Sequence, residues 1–139
     1  MEELGSWFKN VDLFSCDKII FPFNQRNKHW FLVVAHVTKR EIHVYDSLGK
    51  KYSDEVGKIY LFMKTLHKIQ KNYDMFDEWK INDLSSQVPS QKNGNDCGVY
   101  MLMFADLISL NEEIKFCHDD AKEYRFRIAL SLLQNNAAI

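Results

Sequence analysis

The stretch from Gly98 to Leu110 constrains the fold of this chain most strongly, because it carries apolar side chains on nearly every side of a predicted helix. A helix that is apolar all round must be covered on all sides, so we expect it in the middle of a domain. It directly follows a polar loop, Ser85 to Asp96, which contains Pro89 and the pair Asn93-Gly94. The sequence therefore predicts a buried central helix whose first turn meets a polar loop.

The segments around this helix show a mixture of strand and helix patterns. In chain order they predict a short buried strand (18–23), a hairpin (30–37 and 42–45), an amphipathic helix (53–73), a further strand (79–84) and a last helix (119–134). The last helix is expected to bury one stripe, which contains Ala121, Tyr124, Ile128 and Leu132. The sequence therefore predicts the α+β class, with helices packed on a small, mainly antiparallel sheet.

Composition and charge exclude several classes of protein. With 139 residues, of which 46% are hydrophobic, the chain is expected to form one domain with its own core. Its 18 basic residues nearly balance its 19 acidic ones, so no net field favours nucleic acid or an anionic membrane surface. The longest apolar run, Trp30 to Ala35, is too short to span a bilayer, and the first residues lack the basic start of a secretory signal. We therefore expect an intracellular protein of the nucleus or cytoplasm.

The three cysteines, Cys16, Cys97 and Cys117, are odd in number and widely spread, and none belongs to a Cys-x-x-Cys pair. That spacing argues against a disulfide framework and against a zinc site. We therefore expect no structural metal, and a reducing compartment suits the chain best.

Cys97 stands where the polar loop meets the predicted central helix, a position at which a cysteine becomes reactive. The positive end of the helix dipole stabilises a thiolate there, and the backbone N–H of Cys97 is expected to lack an acceptor within the helix. That N–H is suited to bind an oxyanion, and the side-chain amide of Gln91 is a candidate for the second donor. Gly98 leaves room for a substrate carbonyl to approach. These residues predict a nucleophilic cysteine.

A nucleophilic cysteine also needs a base within hydrogen-bond reach and a third group that orients the base. His29 opens the first strand of the predicted hairpin and Asp46 follows its second strand, so both are expected towards the same end of the sheet. They are the candidates for these two roles. The remaining histidines and cysteines are expected to be surface or structural residues: His36, His43, His67, His118, Cys16 and Cys117.

The candidate residues lie in three motifs that follow one another along the chain. These motifs are His29-Trp30, then Asp46-Ser47-Leu48, then Gln91-Lys92-Asn93-Gly94-Asn95-Asp96-Cys97-Gly98. Together the motifs resemble the ubiquitin-like-protein proteases, which are SUMO-specific, Ulp/SENP-type, papain-like cysteine proteases. The stretch from Asp12 to Asn24 is also similar to the strand that leads to the catalytic histidine in that family.

The resemblance implies a papain-like core and a thiol protease that hydrolyses the peptide or isopeptide bond after the C-terminal Gly-Gly of a ubiquitin-like modifier, SUMO above all. It implies Cys97 as nucleophile, His29 as general base, Asp46 as the partner of His29, and Gln91 in the oxyanion hole. Trp30 would roof a tunnel for the glycine pair, because only glycine leaves the space above an extended backbone empty. Asp96 is interpreted as a helix N-cap or loop anchor, and no cofactor or metal is implied.

Members of this family usually carry more chain before the catalytic histidine. Residues 1–139 are therefore predicted to be a single catalytic domain that is short at its N-terminus. Three alternatives stay open: a protease for a Nedd-type modifier or ubiquitin, an acyltransferase that uses the same triad, and a catalytically impaired module that binds a ubiquitin-like protein. The tunnel residue Trp30 argues against the acyltransferase, and a measurement of trace turnover separates the binding module from an enzyme.

Overall fold

The computed structural model describes residues 11–71 and 78–135, and these contain four strands and three helices. The strands are β1 (Lys18–Gln25), β2 (His29–His36), β3 (Glu41–Tyr45) and β4 (Lys80–Asp83). The helices are α1 (Ser53–Lys71), α2 (Cys97–Ser109) and α3 (His118–Leu133), and short 3-10 turns lie at Leu13–Ser15 and Ser85–Gln87. The elements confirm the predicted α+β class.

The four strands form one sheet in the order β1-β2-β3-β4. Residues 26–28 and 37–40 connect the first three strands, and connections this short permit only antiparallel pairs. Strands β3 and β4 are parallel, with Glu41 opposite Lys80 and Val44 opposite Asp83. The long connection that includes α1 allows this parallel pair. The sheet is therefore mainly antiparallel, as the sequence predicts.

The outer strand β1 differs from its prediction in length and in burial. It continues to Gln25 instead of ending near Phe23, and its residues are half-buried, apart from the exposed Pro22. An edge strand tolerates a proline, because the ladder hydrogen bond that proline cannot donate is not required on the open side. Strand β2 lies between two neighbours and is buried, with no exposed surface on any residue from Phe31 to Ala35.

The described residues form two compact units, of which the first comprises 11–21, 33–44, 51–71 and 78–83. Helix α1 begins at Ser53, as predicted, and ends at Lys71. The predicted end at Tyr73 lies outside the described residues. The buried residues of α1 recur at helical spacing, which confirms the predicted amphipathic pattern: Val56, Ile59, Met63 and Leu66.

The second unit comprises residues 22–32, 45–50 and 84–135. Its helix α2 begins at Cys97, one residue before the predicted start. Ring centroids 5.1 to 6.3 Å apart join four aromatic side chains into the core of this unit: Tyr45, Tyr100, Phe104 and Phe116. Leu102, on the opposite side of α2, is 43% exposed. The prediction that this helix is covered on all sides is therefore wrong for that side.

Helix α3 packs against α2 within the second unit. Ala121 is buried, and Tyr124 and Ile128 are half-buried, as the predicted stripe requires. The prediction is wrong for Leu132, which is 77% exposed because no described part of the unit covers the last turn of α3. No helix in the described ranges combines the length and the apolar character that crossing a membrane demands.

Candidate active site

His29 and Asp46 form a buried hydrogen-bonded pair in the second unit. The distance between His29 Nε2 and Asp46 Oδ1 is 2.5 Å, and the residues are 4% and 1% exposed. An ionised carboxylate only accepts hydrogen bonds, so Nε2 carries the donated proton. In a neutral imidazole Nδ1 then holds the lone pair, which makes Nδ1 the basic atom.

A tight turn directly after β3 holds the Asp46 carboxylate in place. Its Oδ2 accepts a hydrogen bond of 2.8 Å from the backbone N–H of Lys50, and its Oδ1 accepts one of 3.2 Å from Leu48. Gly49 makes the turn possible with φ +65°, a conformation that side chains disfavour. The backbone N–H of Asp46 donates to Ser85 Oγ at 3.1 Å. Three hydrogen bonds thus hold Asp46, two to its carboxylate and one from its backbone, beside its bond to His29.

Cys97, the predicted nucleophile, is the first residue of α2 and is 7% exposed. Its backbone N–H stands at the helix start, where donors have no acceptor within the helix. The indole of Trp30 lies over the neighbouring residue, since a Cβ placed on Gly98 would be 3.5 Å from Trp30 Cδ1. This contact brings the His29-Trp30 motif to the Cys97-Gly98 motif.

The Gln91 side chain is 8% exposed and bonded at both ends. Its Oε1 accepts a hydrogen bond of 2.5 Å from Ser47 Oγ, and its Nε2 donates one of 2.5 Å to the Asn93 carbonyl oxygen. The backbone N–H of Gln91 donates to the Ser47 carbonyl oxygen at 3.0 Å. The predicted oxyanion donor is therefore held by the Asp46-Ser47-Leu48 motif.

Asp96 lies at the N-cap position of α2, yet its side chain does not cap the helix. It accepts hydrogen bonds from Arg125 of α3 at 2.5 Å and from Asn93 Nδ2 at 2.7 Å. Burial raises the pKa of the Asp96 carboxyl, but these hydrogen bonds outweigh burial and bring the pKa below its ordinary value. Of the two predicted roles, the structure supports that of loop anchor.

Arg125→Gln is expected to lower the free energy of unfolding by about 1 kcal/mol, because the buried Asp96 carboxylate loses its cation. Arg127→Gln is the matched control: Arg127 pairs with Glu123 one turn away on the exposed side of α3, at 2.7 Å, and its loss is expected to cost less than about 0.5 kcal/mol. Urea unfolding of both variants measures the difference, and equal losses would contradict this account.

The pH dependence of the Arg125 effect follows from the sign of the pKa shift. A carboxyl whose pKa is lowered on folding contributes stability above its unfolded value of 3.8, and the contribution is lost as the pH falls through the folded-state value. The gap between wild type and Arg125→Gln is therefore expected to be full at neutral pH and to shrink on acidification below about 4.

Three residues of this site were not predicted from the sequence. Ser47 contacts Gln91, Ser85 contacts Asp46, and Arg125 contacts Asp96. Ser47 was visible as part of a motif, although no role was assigned to it. Ser85 and Arg125 carry no signal that distinguishes them from ordinary loop and helix residues. All the predicted site residues and these three lie in the second unit.

Comparison with known proteins identifies related sequences from mammals. Sentrin-specific protease 2 from Homo sapiens is 30% identical over 129 residues, and sentrin-specific protease 5 from Mus musculus is 28% identical over 128 residues. The alignments cover 91% and 92% of this chain but only 22% and 17% of the relatives. The chain thus spans less than a quarter of the length of these relatives.

Two solved structures share the fold. The SUMO protease Ulp1 with its catalytic cysteine oxidized to a sulfonic acid superposes with a TM-score of 0.80 at 25% identity, over 96% of this chain and 62% of that one. The C-terminal Ulp1 protease domain in complex with Smt3, the yeast ortholog of SUMO, gives 0.76 at 25% identity, over 93% and 57%. These matches confirm the predicted papain-like α+β fold.

The family model for the C-terminal catalytic domain of the Ulp1 protease family matches residues 1–137. The match includes every residue of the site described above. The chain belongs to the Ulp1 protease family.

Proposed function

We propose that this chain is a cysteine peptidase that hydrolyses the peptide or isopeptide bond after the C-terminal Gly-Gly of a ubiquitin-like modifier, with SUMO as the preferred modifier. The observation that carries the proposal is the buried His29–Asp46 hydrogen bond in the same unit as Cys97 at the start of α2. Family membership, the sentrin-specific proteases among the relatives, and the Ulp1 protease domain solved in complex with Smt3 support the choice of modifier.

In the proposed reaction Cys97 gives its thiol proton to His29 Nδ1, and the sulfur attacks the carbonyl carbon of the terminal glycine. The bond to the leaving amine breaks, the amine takes the proton from His29, and a thioester remains on Cys97. Water, deprotonated by His29, then attacks the thioester, and the modifier leaves with a free carboxylate while Cys97 is regenerated. The negative oxygen of each tetrahedral intermediate is bound by the backbone N–H of Cys97 and by the amide of Gln91.

Trp30 and Gly98 are the proposed substrate-binding residues. The indole is 38% exposed and lies next to the backbone of Gly98, so an extended glycine pair entering there would pass beneath a flat aromatic surface. Any residue with a Cβ at the last two positions of the modifier would collide with that surface. Selection for Gly-Gly then follows from shape.

The first test is hydrolysis of fluorogenic C-terminal amides of SUMO, a Nedd-type modifier and ubiquitin by the wild-type chain. We expect kcat/KM for SUMO to exceed the other two by at least about tenfold, which corresponds to about 1.4 kcal/mol in transition-state binding. A chelator is expected to leave the rate unchanged. A preference for another modifier would overturn the SUMO assignment, and acyl transfer without hydrolysis would favour the acyltransferase.

We expect this chemistry in the nucleus or cytoplasm, because a reducing environment keeps a catalytic thiol active.

Gln91→Ala is expected to lower kcat by about 10²- to 10³-fold with little change in KM, because the amide acts on the oxyanion and not on the ground-state carbonyl. Steady-state kinetics with the SUMO amide measure both constants. Gln87→Ala, in the same loop, offers a matched change of residue type and is expected to retain wild-type kcat. A rise in KM with unchanged kcat would remove Gln91 from the oxyanion hole.

A further inference from the structure

We infer that Ser47 is a positioning residue for the oxyanion amide: its hydroxyl holds the Gln91 carboxamide in the orientation that binds the oxyanion. This inference rests on the proposed function and assigns a role to a residue next to the triad. Ser47 is 2% exposed, and its Oγ lies 2.5 Å from Gln91 Oε1. A second link joins the same two residues, from the backbone N–H of Gln91 to the Ser47 carbonyl oxygen at 3.0 Å.

The two ends of the Gln91 amide identify its orientation. The Asn93 carbonyl oxygen, 2.5 Å away, only accepts hydrogen bonds, so the atom that faces it must be Nε2. The atom that faces Ser47 is then Oε1, and the Ser47 hydroxyl must be the donor. An amide nitrogen carries two N–H groups, and only one of them points to Asn93. Among residues 11–71 and 78–135 no acceptor is found for the second, so we assign it to the oxyanion.

Removal of the Ser47 hydroxyl would leave Gln91 Oε1 buried without a donor. The bond from Nε2 to the Asn93 carbonyl oxygen would then hold the amide at one end alone, and because the terminal torsion of glutamine is broad, the amide could rotate to find another partner. A rotated amide aims its second N–H away from the oxyanion, and a buried unsatisfied acceptor is costly in itself. The effect on catalysis therefore acts through Gln91, and not through contact between Ser47 and substrate.

Two consecutive residues of the turn after β3 thus support both the base and the oxyanion donor of the proposed mechanism. Asp46 orients the base His29, and Ser47 orients the oxyanion donor Gln91. Ser47 is distinguished from an ordinary buried serine by this pairing with a side chain 44 positions away. The prediction is a specific loss of turnover with binding retained.

The test is a double-mutant cycle of wild type, Ser47→Ala, Gln91→Ala and the double variant, with the SUMO C-terminal amide as substrate. Ser47→Ala is expected to lower kcat about tenfold at unchanged KM, and to lower it by less than about twofold when Gln91 is already alanine. Ser47→Thr keeps the hydroxyl and is expected to recover most of the rate. Ser109→Ala, which removes an exposed hydroxyl bonded to the Asp106 carbonyl, is the matched control without effect.

An equal loss of kcat in both backgrounds, or no loss in Ser47→Ala, would overturn the inference. The cycle holds even if Ser47→Thr does not fold. The NMR signals of the Gln91 side-chain amide supply a readout that needs no activity: they are expected to move towards free-glutamine positions in Ser47→Ala and to stay in Ser109→Ala. A wild type that cleaves no modifier would overturn the proposed function, while these signals would still decide for or against Ser47.

Discussion

Cys97→Ser is expected to reduce cleavage of the SUMO amide by at least about 10⁴-fold while the protein stays folded. A hydroxyl has the same connectivity as a thiol and is smaller, so the 7% exposed position should accept it without a clash. The hydroxyl is, however, far less acidic than a thiol, and the helix start cannot turn it into an anion at neutral pH. Burst and steady-state kinetics measure the loss, and circular dichroism checks the fold.

The other two cysteines give the matched controls for this variant. Cys16 and Cys117 are free and exposed, and neither belongs to the site. Cys16→Ser and Cys117→Ser are expected to keep the wild-type rate, and the double variant leaves Cys97 as the single target of an alkylating reagent. Incorporation of one alkyl equivalent on Cys97 and the loss of all activity should then coincide. Activity that survives in Cys97→Ser would remove Cys97 from the mechanism.

Asp46→Asn is expected to lower kcat by about 10⁴-fold, although the shape of the side chain is nearly unchanged. An amide group facing His29 Nε2 no longer demands a proton on that nitrogen, so the ring can take the tautomer with Nδ1 protonated and lose its basic atom there. The carboxylate charge that stabilises the imidazolium is also lost. The pH profile of kcat/KM should change its shape together with the rate.

The control for Asp46→Asn must separate catalysis from folding, because Asp46 also accepts hydrogen bonds from the Leu48 and Lys50 backbone. Urea unfolding of the variant is expected to show a loss of about 1–3 kcal/mol, which leaves the protein folded if its stability is typical. Asp83→Asn makes the same change at a surface ion pair with Lys51 and is expected to retain the wild-type rate. A rate within tenfold of wild type in Asp46→Asn would contradict the assigned role.

Much of the fold and several parts of the site could be predicted because their signals are local. Alternation and β-branched residues mark the hairpin, and a hairpin with a short turn brings its two open ends together. That geometry predicts that His29 and Asp46, 17 positions apart, lie towards the same end of the sheet, and the resemblance to the protease family adds that they are partners. Cys97 at a loop-to-helix junction is equally local, because the polar loop and the apolar helix both adjoin it.

The supporting contacts could not be predicted, because they join distant parts of the chain through single polar side chains. Ser47 reaches Gln91 across 44 positions, Asp46 meets Ser85 across 39, and Arg125 meets Asp96 across 29. A serine or an arginine looks the same in sequence whether it serves such a contact or faces water. Periodicity also cannot show where packing stops, which explains the exposed Leu132 at the end of α3 and Leu102 on α2.

Covalent trapping would show whether Cys97 is the nucleophile of a protease for SUMO-like modifiers. Wild type and Cys97→Ala would each be incubated with SUMO, a Nedd-type modifier and ubiquitin, each bearing a C-terminal electrophile. Intact-mass spectrometry would detect the covalent adducts. We expect one adduct of the wild type with the SUMO probe and no adduct of Cys97→Ala. If folded wild type formed no adduct with any probe, or if Cys97→Ala formed the same adduct, Cys97 would not be the nucleophile of such a protease.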